Sequence, residues 1–332
     1  MDTSNTDGAH GRRRRGFSLA VLVVATSLLL GALPASTLAQ EQLSYPLTVI
    51  DDEGTEVAIE AFPERIISLS PANTETVFAL GAGDRLVGGT DFDDFPPEAS
   101  GLADVATYTG VIMEQVVALE PDLVLAAGNF FTPPEDVARM RELGFPVVVL
   151  YAPDVESVLA DIELIGTAIG APAEAAAMTA EMATRLAAIA EMAAATGTAP
   201  RTFYELGAEP EIYAPAPDSF LTDMIERAGG DPITTGDPAL WSIPLEELLV
   251  ADPEVIVLGD ANYGTCPDDV AARPGWGGMT AVSEGHVRPV DDVPVTRPGP
   301  RLAQGLASLA RAIHPELELA DFPADPAMCE AA

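Results

Sequence analysis

The segment from Asp154 to Ala195 divides this chain into two parts, because it contains almost no strand pattern. Apolar residues recur in it at helical spacing, and a second helical stretch rich in Ala, Met and Glu follows Pro172. The apolar positions are Val155, Val158, Leu159, Ile162, Ile165 and Ile169. Flexible linkers are rich in Gly and Ser, and this segment is not. The sequence therefore predicts a long, rigid α-helical connection.

Strand and helix patterns alternate on both sides of that connection. The strand patterns are RIISL (65–69), LVLAA (123–127) and PVVVL (146–150) before it, and RTFYEL (201–206), VIVLG (255–259) and VRPVD (287–291) after it. Ser70 and Pro71 mark the beginning of the first helix, since Ser caps helices and Pro suits their first position. Alternation at short spacing is typical of a parallel α/β sheet. We therefore expect an α/β fold with two Rossmann-like lobes.

One motif occurs twice, once in each predicted lobe. MEQVVALEPDLVLAAG (113–128) and LEELLVADPEVIVLGD (245–260) each predict a helix, a Pro-acid turn and a buried strand. Glu114 and Glu246 hold equivalent places in the two copies, 132 positions apart. Two related lobes on a stiff connection form a cleft, and a cleft between lobes is a common ligand site.

The N-terminal segment has the pattern of an export signal. Four arginines (12–15) precede an apolar run (17–33), and small residues follow, so we predict a signal peptide over residues 1–39. RRGF (14–17) resembles the twin-arginine pattern, and both twin-arginine export and ordinary secretion stay open. Retention as an uncleaved anchor is a further alternative. No cysteine follows the run, which excludes a lipid anchor there. Each alternative places the rest of the chain in the periplasm or outside the cell.

The remaining boundaries follow from these patterns. We expect a first lobe at residues 40–152 and the helical connection at 153–197. The second lobe is expected at 198–316, followed by an acidic tail at 317–332.

Charge and motif content exclude several classes of function. The chain has 52 acidic residues against 16 basic ones, all arginine, for a formal net charge of −36. Such a chain offers no basic stripe for nucleic acid. It has no G-x-S-x-G elbow, no Walker loop and no CxxC, and beyond the signal segment it has only His286 and His314. We expect neither an enzyme nor a bound metal, although a secreted α/β hydrolase and a structural surface protein are the rival interpretations.

Several motifs, in this order, resemble one family. They are RIISLSPANTETVFALG (65–81), TDFDDFPPEA (90–99), EQVVALEPDLVLA (114–126), RPGW (273–276) and RPGPRL (297–302). Together they resemble the substrate-binding proteins of ABC importers for cobalamin, haem and ferric siderophores. SLSPANTE is similar to the cobalamin-binding members in particular. The resemblance implies two lobes joined by a helical backbone, with the ligand held between them.

The resemblance also implies a set of ligand contacts. Phe92 and Tyr108 match aromatic contacts of the first lobe, Trp241 matches an aromatic contact of the second, and Arg297 matches a polar one. Aromatic side chains at loop tips suit a large, flat, mostly neutral macrocycle. Ordinary core packing of Trp241 is the alternative.

Two positions differ from the cobalamin-binding members. Leu206 and Ala127 stand where those proteins have larger aromatics, and Phe130 and Phe131 lie near enough in the chain to compensate. The expected ligand is a corrinoid or a ferric chelate, with haem as an alternative. Its metal would arrive inside the ligand, so no cofactor or metal ligand of the protein itself is expected.

The resemblance implies a membrane partner as well. Glu114 and Glu246 match the acids with which the family docks on arginines of an ABC permease, and the repeated motif supports the pairing of these two positions. An acid that complements the dipole of a helix N-terminus is the simpler reading of each. We expect a monomer.

Cys266 and Cys329 are the two cysteines of the chain. In an exported protein without a metal cluster they favour one disulfide, which would attach the acidic tail to the second lobe. Two unrelated thiols are the alternative.

Overall fold

The computed structural model describes residues 44–128, 131–326 and 328–329. The described chain begins with an antiparallel hairpin of β1 (Leu47–Ile50) and β2 (Glu56–Ile59). The first lobe continues with β3 (Ile66–Ser68), α1 (Pro71–Ala79), β4 (Leu86–Thr90), β5 (Ala103–Thr107), β6 (Gly110–Val111), α2 (Met113–Ala118), β7 (Leu123–Ala127), α3 (Pro134–Glu142) and β8 (Val147–Leu150).

A six-stranded sheet forms the centre of the first lobe, in the order β6-β5-β4-β3-β7-β8. All its neighbouring strands are parallel except β5 and β6. Ile66 pairs with Leu123, and Leu125 pairs with Val148, so the apolar runs lie in the middle of the sheet, where both faces are covered. The carboxyl ends of the parallel strands therefore lie along one edge.

The connection between the lobes is a hairpin of two helices, α4 (Val155–Ala168) and α5 (Pro172–Ala194). Gly170 adopts a φ of +80° in the turn, where a left-handed backbone favours glycine. A Cβ on Gly166 would lie 2.3 Å from that of Ala175, which shows how closely the helices pack. The helical connection is present, but it folds back on itself rather than extending as one rod. Neither α5 nor any other helix in the described ranges is long and apolar enough to cross a bilayer.

The second lobe has a smaller sheet of four parallel strands. Its elements are β9 (Arg201–Glu205), α6 (Phe220–Arg227), β10 (Asp231–Pro232), α7 (Leu245–Ala251), β11 (Val255–Leu258), α8 (Pro267–Ala272), α9 (Thr280–Ser283), β12 (Val287–Pro289), α10 (Asp292–Thr296) and α11 (Leu302–Ile313). The order β10-β9-β11-β12 places the two apolar strands in the middle. The carboxyl ends of these strands again share one edge. The two-lobed α/β fold class that the sequence predicts is confirmed.

The apolar core runs through both lobes. One cluster of buried side chains includes Ile66 of the first sheet, Ile162 and Leu186 of the helical hairpin, and Leu306 of α11. Each lobe adds a smaller cluster of its own on the other face of its sheet. The hairpin is therefore packed against both lobes instead of merely tethering them.

The repeated motif ends in the same way in both lobes. Just before the Pro-acid turns, Glu120 and Asp252 adopt left-handed φ angles of 45° and 47°. The guanidinium of Arg65 donates to the carbonyl oxygens of Leu119 and Glu120, and that of Arg201 does the same at the end of α7. Arg65 and Arg201, each at the beginning of a strand, thus cap the end of the repeated motif's helix in their own lobe, satisfying carbonyl groups that a helix end leaves unpaired.

Candidate functional site

The carboxyl edges of the two sheets meet where Arg297 reaches across from the second lobe. This residue follows β12 and α10, and its Nη1 lies 3.0 Å from the Oε1 atom of Glu75 on α1. The same nitrogen lies 2.5 Å from the Oδ1 atom of Asp94, in the loop after β4. Segments that follow three strands therefore converge, and the cleft between the lobes is bounded here by charged side chains.

Glu75 is the centre of this contact. Its side chain is 2% exposed and accepts from Arg301 twice, at 2.8 Å from Nε and 2.6 Å from Nη2. The Arg301 guanidinium also stacks 4.2 Å from the ring centre of Phe95. A buried carboxylate with two arginines is stable only because its lone pairs are taken up by charge-assisted hydrogen bonds. We call Glu75, Asp94, Arg297 and Arg301 the cross-lobe cluster.

Asp94 is the exposed member of the cross-lobe cluster. Its partial burial would raise the pKa of its carboxyl group, but the hydrogen bond and charge of Arg297 outweigh burial and hold that pKa below the ordinary value. Asp94 therefore stays ionised in neutral solution, and Arg297 is neutralised from both sides.

Asp93 fixes the loop that carries Phe92 and Asp94. It is buried and accepts from the hydroxyl of Thr74 at 2.8 Å and from the backbone N–H of Thr90 at 3.0 Å. Burial raises the pKa of Asp93, against the effect of these hydrogen bonds. A Cβ on Gly89 would lie 2.3 Å from the Asp93 Oδ2 atom, so glycine is required for this approach. The loop is therefore anchored to the first lobe through the Asp93 carboxylate.

The SLSPANTE motif has a structural explanation. Ser70 caps α1 by accepting from the Asn73 N–H, and the following residues of the helix are buried although they are polar. Thr74 holds Asp93, and Glu75 holds the arginines of the second lobe. The motif thus builds the contact between the lobes.

Exposed aromatic side chains follow strands of the first sheet and lie in a loop of the second lobe. Phe92 is 51% exposed and Tyr108 is 90% exposed, and they follow β4 and β5, which pair at Thr90 and Ala106. They therefore share one part of the first lobe's carboxyl edge. Trp241 of the second lobe is 47% exposed, so it is not a core residue. Its carbonyl oxygen accepts from the Ala214 N–H, which places its loop beside the chain that leaves β9.

The predicted ligand contacts differ in their surroundings. Phe92, Tyr108 and Trp241 present free aromatic surface, whereas the guanidinium of Arg297 is occupied by Glu75 and Asp94. Phe130 lies outside the described residues. That these side chains touch a ligand stays a prediction.

RPGW, which the resemblance pointed to in the second lobe, forms a buried ion pair. Arg273 donates to both carboxylate oxygens of Glu205, at 2.7 and 2.8 Å, and its guanidinium lies 4.6 Å from the ring centre of Trp276. Burial raises the pKa of Glu205, against the opposing effect of Arg273. This pair closes the carboxyl end of β9 beneath the cleft.

Two surface cavities adjoin the cleft. The larger, about 420 Å³, is lined by Glu75, Phe78, Ala79, Phe95, Pro96, Glu98 and Pro300. The smaller, about 340 Å³, lies beside Ser242 and Ile243 of the second lobe. Phe92, Tyr108 and Trp241 line neither of these two cavities. Within the described ranges, no cluster of three or more His, Cys, Asp or Glu side chains is arranged to hold a metal ion.

Glu114 and Glu246 occupy equivalent positions. Both are exposed and lie in the first turns of α2 and α7. Each lobe therefore presents one exposed acid at the same place in the repeated motif.

Comparisons with known proteins find similar sequences and a similar fold. A family model described as a periplasmic binding protein matches residues 66–294. A cobalamin-binding protein of Halobacterium salinarum is 33% identical over 322 residues, which cover 90% of this chain and 85% of that protein. An uncharacterized ABC transporter substrate-binding lipoprotein of Bacillus subtilis is 31% identical over 313 residues, covering 92% of this chain and 98% of that protein.

A solved structure has the same fold. It is a periplasmic haem-binding protein from Pseudomonas aeruginosa, 26% identical, with a TM-score of 0.69 over 81% of this chain and 100% of that one. Its two lobes correspond to the α/β lobes described above.

Proposed function

Since this chain belongs to the periplasmic binding protein family, we propose that it captures a corrinoid outside the cytoplasm and presents it to an ABC importer. It is a substrate-binding protein of transport and not an enzyme. The observation that carries the choice of ligand is the open aromatic surface of Phe92, Tyr108 and Trp241 on facing edges of the lobes. A corrin ring offers the broad, flat contact that such side chains bind. The protein needs no metal site of its own, because the metal arrives inside the ligand.

Charge supports a corrinoid over more anionic ligands. Arg297 and Arg301 are the arginines at the cleft contact, and both are neutralised by Glu75 and Asp94. A chain of net charge −36 repels anionic ferric siderophores and haem propionates unless free cations compensate. A largely neutral corrinoid is not repelled in this way. The 33% identity with a cobalamin-binding protein is in keeping with this choice.

Haem is the second candidate. Tyr108 exposes a phenol at the cleft edge, and tyrosine is one of the side chains that can bind ferric haem iron. The haem-binding structure with the same fold adds to this candidate. A haem complex would show an iron-ligand absorption spectrum that a corrinoid complex does not.

Titration of the purified chain separates these ligands. The protein, without residues 1–39, would be titrated with cyanocobalamin, haemin and a ferric hydroxamate, following absorbance and tryptophan fluorescence. We expect saturable binding of one cyanocobalamin per chain and quenching of Trp241. Binding of haemin alone would replace the first candidate by the second, and binding of none would contradict the proposed function.

Delivery to the importer would use the two equivalent acids. Glu114 and Glu246 are exposed and would pair with arginines on a membrane permease, one from each lobe. The chain would act as a monomer and reach its compartment through the predicted signal peptide, which lies outside the described residues.

Charge reversal tests this docking. Replacing both acids (Glu114→Arg and Glu246→Arg) should abolish ligand-dependent ATPase stimulation by the importer in vesicles, because like charges then meet. Affinity for cyanocobalamin should stay unchanged. Glu135→Arg with Glu174→Arg is the matched control, since these are exposed acids in the first turns of α3 and α5. Normal stimulation by the first double variant, or its loss in the control, would refute this role.

A further inference from the structure

The loop between β11 and α8 carries an aromatic side chain that no motif pointed to. Tyr263 is 87% exposed, and it ends a short 3₁₀ turn that begins directly after the central strand β11. The loop thus emerges at the carboxyl edge of the second sheet. It packs against α10, which leads to Arg297 and the cross-lobe cluster. Tyr263 therefore presents a free aromatic side chain at the carboxyl edge of the second sheet.

This loop is anchored on its sheet side. Gly259 lies against the ring of Tyr204, where a Cβ would come within 2.4 Å. Asn262 donates from Nδ2 to the Oδ1 atom of Asp291 at 3.1 Å, and its Oδ1 accepts from the Asp292 N–H at 2.8 Å. Tyr263 follows Asn262 directly, so its backbone is placed by these bonds while its side chain stays free.

The end of the chain holds the other side of the loop. Residues 315–326 and 328–329, here called the C-terminal strap, run back over α11. Arg311 donates from Nη2 to the carbonyl oxygens of Leu319 and Phe322, both at 2.7 Å. Asp325 accepts from the hydroxyl of Ser308 and, at 3.3 Å, from the N–H of Asp291.

A disulfide completes the attachment. Cys329 of the C-terminal strap is bonded to Cys266, three residues after Tyr263, with their Cα atoms 5.6 Å apart. The bond closes a loop of sequence separation 63. Asp325 and Cys329 therefore reach the Tyr263 loop by two routes, one through Asp291 and Asn262 and one through Cys266.

We propose that Tyr263 is a further ligand-contacting aromatic residue of the second lobe, and that the C-terminal strap positions it through the Cys266–Cys329 disulfide. This inference rests on the proposed function. A loop held in place before binding loses less conformational freedom when the ligand arrives, which increases affinity without any new contact. The strap thereby contributes to binding although it touches no ligand.

A double-mutant cycle with cyanocobalamin as the probe, and haemin in parallel, tests both parts. Tyr263→Ala should weaken binding about tenfold, as loss of an aromatic contact does. Removing the disulfide (Cys266→Ser with Cys329→Ser) should weaken binding about threefold to fivefold when Tyr263 is present. It should weaken binding very little when Tyr263 is already alanine, since the effects of coupled residues are not additive. Val250→Ala is the control, because Val250 is also 87% exposed but lies on α7, away from the carboxyl edge.

Each result bears on a separate claim. If the unsubstituted protein binds neither probe, the proposed function fails and this inference with it. If it binds and Tyr263→Ala does not weaken binding, the ligand contact is refuted while the proposed function stands. If removing the disulfide weakens binding equally with Tyr263 and with alanine at position 263, the positioning role of the C-terminal strap is refuted. Asp325→Ala loosens the strap with the disulfide intact and should reproduce the same non-additive pattern; it serves if the cysteine variant fails to fold.

Discussion

At the residue scale, Trp241 is expected to contribute strongly to ligand affinity. It is half exposed in a loop of the second lobe, so its ring is available without any rearrangement of the core. We expect Trp241→Ala to weaken cyanocobalamin binding by about 2 kcal/mol, roughly thirtyfold, as central aromatic anchors do. Ile50→Ala, an exposed apolar change on β1, should not alter affinity. Calorimetric titration gives the affinity, and a lowered melting temperature of the Trp241 variant would instead indicate a packing role.

Asp161 on α4 makes stability depend on pH. Burial, followed by the charges of Asp52 and Asp154, raises the pKa of its carboxyl group to about 8. The folded chain thus holds this proton more tightly than the unfolded chain, whose pKa is near 3.8. The stability that this group contributes is therefore fully present below about pH 4 and is lost as the pH rises through 8.

A neutral amide at this position removes the titration. Asp161→Asn should raise the free energy of unfolding at pH 8 and above relative to the unsubstituted protein, with little difference near pH 4. Urea unfolding across this pH range measures it. Glu191→Gln, an exposed change on α5, should leave the curve unaltered. Parallel curves for the Asp161 variant and the unsubstituted protein would refute the assignment.

At the scale of elements, the two copies of the repeated helix–turn–strand unit allow equivalent positions to be compared by mutation. Glu120 and Asp252 both have a left-handed backbone conformation. The Asp252 carboxylate also accepts hydrogen bonds from Thr280, at 2.8 Å from the Thr280 backbone nitrogen and 3.0 Å from the Thr280 hydroxyl. Glu120→Gly should therefore raise the free energy of unfolding by about 0.5–1 kcal/mol, by relieving backbone strain. Asp252→Gly should lower it, because the bonds to Thr280 are lost. The same sign for both changes in denaturant titrations would contradict this account.

Long apolar strands and capped helices were predictable from local pattern, and shorter elements were not. RIISL and VIVLG form central strands, as their apolar runs indicate. β10 is only Asp231–Pro232, a pair of residues disfavoured in strands, and it exists because it pairs with β9. Such elements depend on tertiary contact, which local sequence does not carry.

The same limit applies to the site. Aromatic residues after strands could be named from sequence, but the cross-lobe cluster could not, since Arg301 and Glu75 are 226 positions apart. Two arginines spaced four apart in RPGPRL were the only available signal, and they do not specify a partner. The structure adds Glu75, Asp93, Arg301 and Tyr263 to the residues of interest.

At the scale of the whole molecule, charge is the dominant property. With 52 acidic residues against 16 arginines, the folded chain repels itself. Raising NaCl from 0.1 to 1 M shortens the screening length from about 10 Å to about 3 Å, so the melting temperature should rise with salt. The rise should shrink at pH 4, where many carboxylates are protonated. A melting temperature independent of salt at neutral pH would show that favourable ion pairs offset the repulsion.

The continuous core has a consequence for biosynthesis. Leu306 and Leu309 of α11 close the same apolar cluster that contains Ile66 near the beginning of the first sheet. A ribosome releases the first lobe long before it makes α11, and the nascent lobe must then wait with part of its interior uncovered. Ordinary secretion, one of the two export routes that the sequence leaves open, requires such an incompletely folded chain. Completion of the fold waits for α11, the last helix of the second lobe.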